Sequence, residues 1–127
     1  MPLPNKFGAK FCRGYNVEEI KFVMDYAGCG FCLDFGHAIC AANALKKEPY
    51  SHIYDFMKLK TNIFHLTDND DMASPYDSHL HLGDGELNLD KIKNVLPSDA
   101  IITLETNKNS KENLDDFIVD CNLIRSF

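Results

Sequence analysis

The chain has no apolar run approaching the ~20 residues that a membrane-spanning helix needs, which argues against a helical span. Its first residues, Met-Pro-Leu-Pro-Asn-Lys, lack the apolar centre of a secretory signal peptide, so a cytoplasmic location is expected. An excess of positive charge is also missing. Thirteen Lys and Arg stand against 19 Asp and Glu, for a net charge of −6. That is a poor footprint for nonspecific nucleic-acid binding, although a local basic groove stays open. There is no internal repeat, low-complexity tract or interdomain linker. A second CxxC is absent, so Cys29-Gly30-Phe31-Cys32 has no partner with which to form a zinc ribbon. Five cysteines, an odd count, fit reduced packing thiols. With 45% apolar, 25% charged and 11% aromatic residues, disorder, collagen-like repeats and a disulfide scaffold are excluded. The 127 residues suit one modest domain.

Residues 1–15 read as a loop with Pro, Gly and basic residues. Asn16 and Glu19 form a capping box ahead of Val17, Ile20, Val23, Met24 and Ala27 at helical spacing, and Gly28 ends that helix. Residues 29–34 read as a buried parallel strand, Phe35 and Gly36 as its turn, and residues 38–46 as an Ala-rich helix. Pro49 opens another helix, to about Leu59. Residues 62–67 form a second strand, 68–85 a polar loop, and 100–105 a third strand. Leu89, Ile92 and Val95 mark a short helix stopped by Pro97. The last helix starts near Ser110, with Leu114, Phe117, Ile118, Cys121 and Ile124 on one face. Strands alternating with helices predict an α/β chain with a parallel sheet.

Chemically capable residues gather where these strands end, the usual place for sites in such folds. Asp34 and His37 form a DxxH, and His65 and Asp68 follow on the next strand. Asp77, His79 and His81 alternate and, in extended chain, point to one side. Glu105 closes the last strand. Imidazole mixed with carboxylate suits Zn²⁺ or Mn²⁺ better than Ca²⁺, with Mg²⁺ and Co²⁺ also compatible. His52 lacks such neighbours and reads as a surface or packing residue. In the acidic run 68–71, only Asp68 lies near a strand end.

Four segments in order, CLDFGHA, IFHLTDND, DSHLHLGDGELNLDKI and IITLET, resemble the C-terminal half of the xylose isomerase-like TIM-barrel superfamily. That group includes sugar phosphate isomerases and epimerases, and the endonuclease IV abasic-site nucleases. The resemblance implies a partial (β/α)8 barrel, roughly strands six to eight with their helices. Residues 1–127 would then be a single C-terminal half-barrel, with 1–15 a loop and 16–127 the βα units. It implies that Asp34, His65 and Glu105 are central metal ligands. In endonuclease IV-like members, the residues matching His37, Asp77 and His79 hold another zinc. In epimerase-like members, the residue matching His37 touches substrate. His37, His81 and Asp68 are the candidates for substrate contact, and the turn at 83–85 shapes the loop over the pocket. The family's remaining ligands, including a strand-five Glu, come from the first half of the barrel. The expectation is therefore that Met1 is an internal start, or that the chain is a fragment of a ~250-residue barrel.

The leading expectation is a metal-dependent sugar or sugar phosphate isomerase or epimerase, with Glu105 one of two proton-moving glutamates. On its own such a half-barrel would be weakly active or inactive. The second is a zinc-dependent phosphodiesterase acting on abasic DNA. Nucleic acid is disfavoured by the acidic balance and, through the resemblance, by Asp70 and Ser78, which stand where endonuclease IV-like members tend to carry basic residues suited to phosphate. The third is an inactive half-barrel that forms homo-oligomers through its open edges.

Overall fold

The computed structural model describes residues 14–127. The expected loop at 1–15 and Cys12 fall largely or wholly outside them. Helix α1 (Val17–Ala27) begins as its cap requires: Asn16 is extended, and its Oδ1 accepts from the Glu19 amide at 2.8 Å. The Glu19 carboxylate reaches back to the Gly14 amide at 2.6 Å. Gly28 ends the helix at φ +65°, a left-handed conformation that glycine adopts without strain. The inward stripe is narrower than its spacing suggests. Val17 and Ile20 pack on the core, whereas Val23 and Ala27 are exposed. Phe22 and Tyr26 stack on the outer face, with ring centroids 6.1 Å apart.

Three short parallel strands follow in the order β1 (Cys32–Asp34), β2 (Ile63–Leu66) and β3 (Ile101–Leu104). Each is shorter than its apolar run. Cys29 and Gly30 lie exposed before β1, so the CxxC is not inside a strand. Cys29, Cys32, Cys40 and Cys121 are free, and Cys40 is buried in the helix after β1. That helix, α2 (Phe35–Ala44), starts with no turn between it and the strand. Asp34 is both the last residue of β1 and the N-cap of α2, accepting from the His37 amide at 2.8 Å. Asp favours this position strongly enough for the helix to begin at once.

Helix α3 (Pro49–Met57) has Pro in its first turn, and the Glu48 carboxylate accepts from the Tyr50 and Ser51 amides. Helix α4 (Leu89–Lys93) is capped by Asn88. Helix α5 (Asp115–Arg125) begins later than expected, because Ser110 Oγ accepts the Glu112 and Asn113 amides in a preceding turn. Leu114 and Ile118 are exposed, while Leu123 and Ile124 pack on the core. The buried residue of α5 is Asp120.

One face of the sheet carries Leu33, Phe64 and Leu66 into a core completed by Phe35, Ile39, Ile53, Phe56 and Ile92. Phe35 and Phe64 stack at 5.5 Å. On the opposite face, strand alternation and register align Cys32, Ile63 and Ile101 in one row and Asp34, His65 and Thr103 in the next. Ile63 and Ile101 are 44% and 59% exposed on that face. Among the described residues, no helix is long and apolar enough to cross a membrane.

Candidate metal centre

Parallel register brings Asp34 and His65 side by side, and Glu105 follows directly after β3. His65 Nδ1 lies 2.9 Å from Glu105 Oε1 and 3.8 Å from Asp34 Oδ2. One ligand atom from each of Asp34, His65 and Glu105 lies within 4.8 Å of the others. The same holds for Asp34, His37 and Asp77. His37 sits one turn into α2, with Nδ1 3.2 Å from Asp34 Oδ2 and Nε2 3.9 Å from Asp77 Oδ2. Asp34 therefore belongs to both groups. It is 3% exposed, and burial raises its pKa above the ordinary carboxylate value. The carboxylates of Asp77 and Glu105 push the same way, against the opposing influence of His37.

Asp77 reaches this place because Gly36 leaves room. A Cβ on Gly36 would stand 2.4 Å from Asp77 Oδ2. That oxygen is buried and has no hydrogen-bond partner among the described residues. An orphaned carboxylate oxygen among imidazoles and acids is what a cation would complete. With one imidazole and two carboxylates in each group, the donor set fits zinc or manganese. Cys40, behind the cluster, is no ligand candidate. Burial pushes its thiol up to about 12, with Asp77 and Asp34 adding to the effect.

His79 stands beside these groups, with Nε2 3.7 Å from Asp77 Oδ2. Its Nδ1 lies 2.6 Å from the Glu105 carbonyl oxygen. A carbonyl only accepts, so Nδ1 donates and the Nε2 lone pair is left for an ion. His79 adopts φ +53°, which breaks the alternation of an extended chain. Asp77, His79 and His81 therefore do not share one side as their spacing suggested. His81 turns to α5, where its Nδ1 donates to Asp120 Oδ2 at 2.6 Å.

Asp68 is fully buried and takes four backbone amides. Asn69 and Leu87 donate to Oδ1, and Gly83 and Gly85 to Oδ2, at 2.8 to 3.1 Å. Both oxygens of Asp68 are thus occupied by amides and His81 Nδ1 by Asp120, while His81 Nε2 is buried with no hydrogen-bond partner among the described residues. Asp68 nevertheless shapes the loop over the strand ends, by closing the turn at 83–87. His52 is the packing residue its isolation suggested. It is buried, meets Phe56 edge-on at 4.9 Å, and its Nε2 lies 3.0 Å from the Tyr15 carbonyl oxygen. Sequence reasoning missed Asp120 and Thr106. The signal available was an acid on the otherwise apolar stripe of α5, between Phe117 and Ile124. The cleft at the other end of the sheet, lined by Met24, Phe31, Lys60 and Ile63 among others, holds no imidazole or carboxylate.

Histidines and acids thus gather at the carboxyl ends of the parallel strands in two groups that could hold a metal ion. The chain is similar to a protein described as probable endonuclease 4 from Halothermothrix orenii. The two are 34% identical over 138 aligned positions, covering 97% of this chain and 49% of the relative. This likeness agrees with the resemblance of the four segments to the xylose isomerase-like TIM-barrel superfamily. The chain spans about half the length of that relative. No family model matches the chain, and no solved structure matches it.

Proposed function

We propose that the chain carries part of the zinc centre of a phosphodiesterase that cleaves abasic DNA, presented on strands six to eight of a (β/α)8 barrel. The observation that carries this reading is Asp34, one buried carboxylate common to two ligand groups. Paired ions sharing a carboxylate suit phosphodiester hydrolysis, in which both attacking and leaving oxygens need stabilising. The likeness to a probable endonuclease 4 supports the same reading. Asp34, His65 and Glu105 would hold one ion. Asp34, His37 and Asp77, with His79 beside them, would hold another. Ions bound there supply Lewis acidity and lower the proton affinity of water. The side chains set the geometry. The cap of α2 aims Asp34, Glu105 steadies the His65 ring, and the Glu105 carbonyl orients His79. Free thiols at the four described cysteines agree with a cytoplasmic setting.

One observation favours the sugar isomerase or epimerase as a second reading. Ser78 Oγ accepts from the Asp70 amide at 2.9 Å and bonds Asn69 Oδ1 at 3.2 Å. At these two positions the rim offers a hydroxyl and an acid, where a phosphate backbone would want Lys or Arg.

The test begins with metal content by elemental mass spectrometry, on protein purified without chelator or affinity tag. Zinc-loaded protein is then incubated with an abasic-site oligonucleotide and, separately, with ketose phosphates. About two zinc ions per chain are expected, with only slow strand cleavage, because the chain carries part of the centre. Ketose conversion without cleavage would transfer the assignment to the isomerase, and failure to bind any divalent ion would remove both readings.

A further inference from the structure

Behind the ligand cluster lies a buried polar knot whose members are not ligands in the reading above. Asp120 on α5 is 1% exposed although it carries an acid. Its Oδ2 accepts from Thr106 Oγ1 at 2.8 Å and from His81 Nδ1 at 2.6 Å, and its Oδ1 accepts from the Leu82 amide at 3.0 Å. Burying a carboxylate is unfavourable unless its oxygens are satisfied, and here both are. An apolar residue at this helix position would avoid the desolvation altogether. The charge must therefore be judged by what it holds.

Its three partners share a location. Thr106 directly follows Glu105, and His81 and Leu82 follow His79 by two and three residues. The two ligand-bearing segments are also stitched to each other. His79 Nδ1 meets the Glu105 carbonyl at 2.6 Å, the Asn107 amide donates to the His79 carbonyl at 2.8 Å, and Asn107 Nδ2 donates to the Ser78 carbonyl at 3.1 Å. Neither segment lies in a helix or ladder of its own, apart from one isolated bridge between Asp68 and Leu80. Their geometry depends on side-chain fastenings, and Asp120 is the point where these converge on a helix.

We propose that Asp120 is a positioning residue. Through Thr106, His81 and Leu82 it holds the loop bearing Asp77 and His79 against the strand end bearing Glu105. The ligand atoms of the two segments are thereby set before an ion arrives. Groups held this way bind metal more tightly, because less ordering remains to be done on binding. The proposal rests on reading the strand ends as a metal centre.

The test uses the full chain and two readouts. The first is hydrogen–deuterium exchange of the metal-free protein. The second is Co²⁺ titration followed by visible absorption, which reports ligand geometry as well as affinity. Asp120→Ala removes all three contacts, and Asp120→Asn keeps the size while weakening the bond to His81. For Asp120→Ala, exchange at residues 77–82 and 105–107 is expected to rise tenfold or more, with β1 and β2 unchanged. Co²⁺ affinity should fall about tenfold with an altered spectrum, the size of effect seen when a ligand loses its outer partner. Asp120→Asn should fall between Asp120→Ala and the wild type. Should Asp120→Ala fail to fold, Thr106→Val removes one contact and should move both readouts the same way by less. A folded variant with wild-type exchange at 77–82 overturns the proposal. So does one whose exchange rises while affinity and spectrum stay as in the wild type. If the wild type takes up no Co²⁺, the metal reading is what fails. The exchange arm then decides alone whether Asp120 holds the two segments together.

Discussion

Asp34 combines three duties in one side chain: it ends β1, caps α2 and belongs to both ligand groups. Burial, more than any neighbour, raises its pKa in the fold. For a group so raised, the stabilising contribution is complete below its unfolded value and is lost as pH rises through the folded one. The metal-free protein thus carries an uncomfortable anion at neutral pH. Asn caps helices about as well as Asp. Asp34→Asn is therefore expected to keep the fold and, in the presence of chelator, to melt higher than the wild type at neutral pH. The gap should close as the pH is lowered through the carboxylate range, and metal uptake should drop sharply. Thermal melts across pH, with and without zinc, check both parts. Asp34, His65 and Glu105 were legible because each follows a short apolar run, and parallel strands bring such ends together. The family resemblance separated Asp77 from Asp68, but polarity and spacing alone did not. Both are acids of one polar loop, and only the fold gives one of them four amides while leaving the other with an orphaned oxygen.

At the scale of elements, the order of helices and parallel strands was readable from periodicity, caps and turns. The lengths were not. β1 is three residues because the capping preference of Asp34 begins α2 immediately, and α5 starts late because Ser110 turns the chain first. The inward face of α5 was misread at Leu114 and Ile118, which stand exposed, while Leu123 and Ile124 pack on the core. Asp120 stayed hidden because its partners come from two segments remote in sequence. The long loop between β2 and α4 has its own anchor in Asp68. Asp68→Asn replaces one acceptor with a donor facing amides that also donate, and is expected to cost about 2–4 kcal/mol. Chemical denaturation measures this. Wild-type stability with selective loss of ligand binding would instead return Asp68 to the role of substrate contact.

As a whole, the described chain is a one-sided sheet. Helices cover the face bearing Leu33, Phe64 and Leu66, while Ile63 and Ile101 stand exposed on the other. The order β1-β2-β3 leaves β1 and β3 each with one unpaired edge among the described residues. Parallel sheets are ordinarily covered on both faces, and open edges recruit further strands. The relative is about twice as long as this chain, which leaves room for elements that would cover such a face. Alone, the chain is expected to self-associate at micromolar concentrations through this surface. Ile101→Lys should lower the sedimenting mass toward that of the monomer, while unfolding stability changes by less than ~0.5 kcal/mol, as for an exposed site. Unchanged mass in that variant would show that association, if present, uses another face.

On the proposed reading, the sharing of Asp34 would also govern how the centre fills. Two ligand groups that draw on one carboxylate cannot be loaded independently, and linkage requires each occupant to alter the other's affinity by the same factor. The first ion consumes charge that the second needs, yet it also fixes the side chain that both use. Whichever effect prevails, the binding isotherm should depart from that of two independent sites. A chelator would then strip the ions either as a pair or in two well-separated steps.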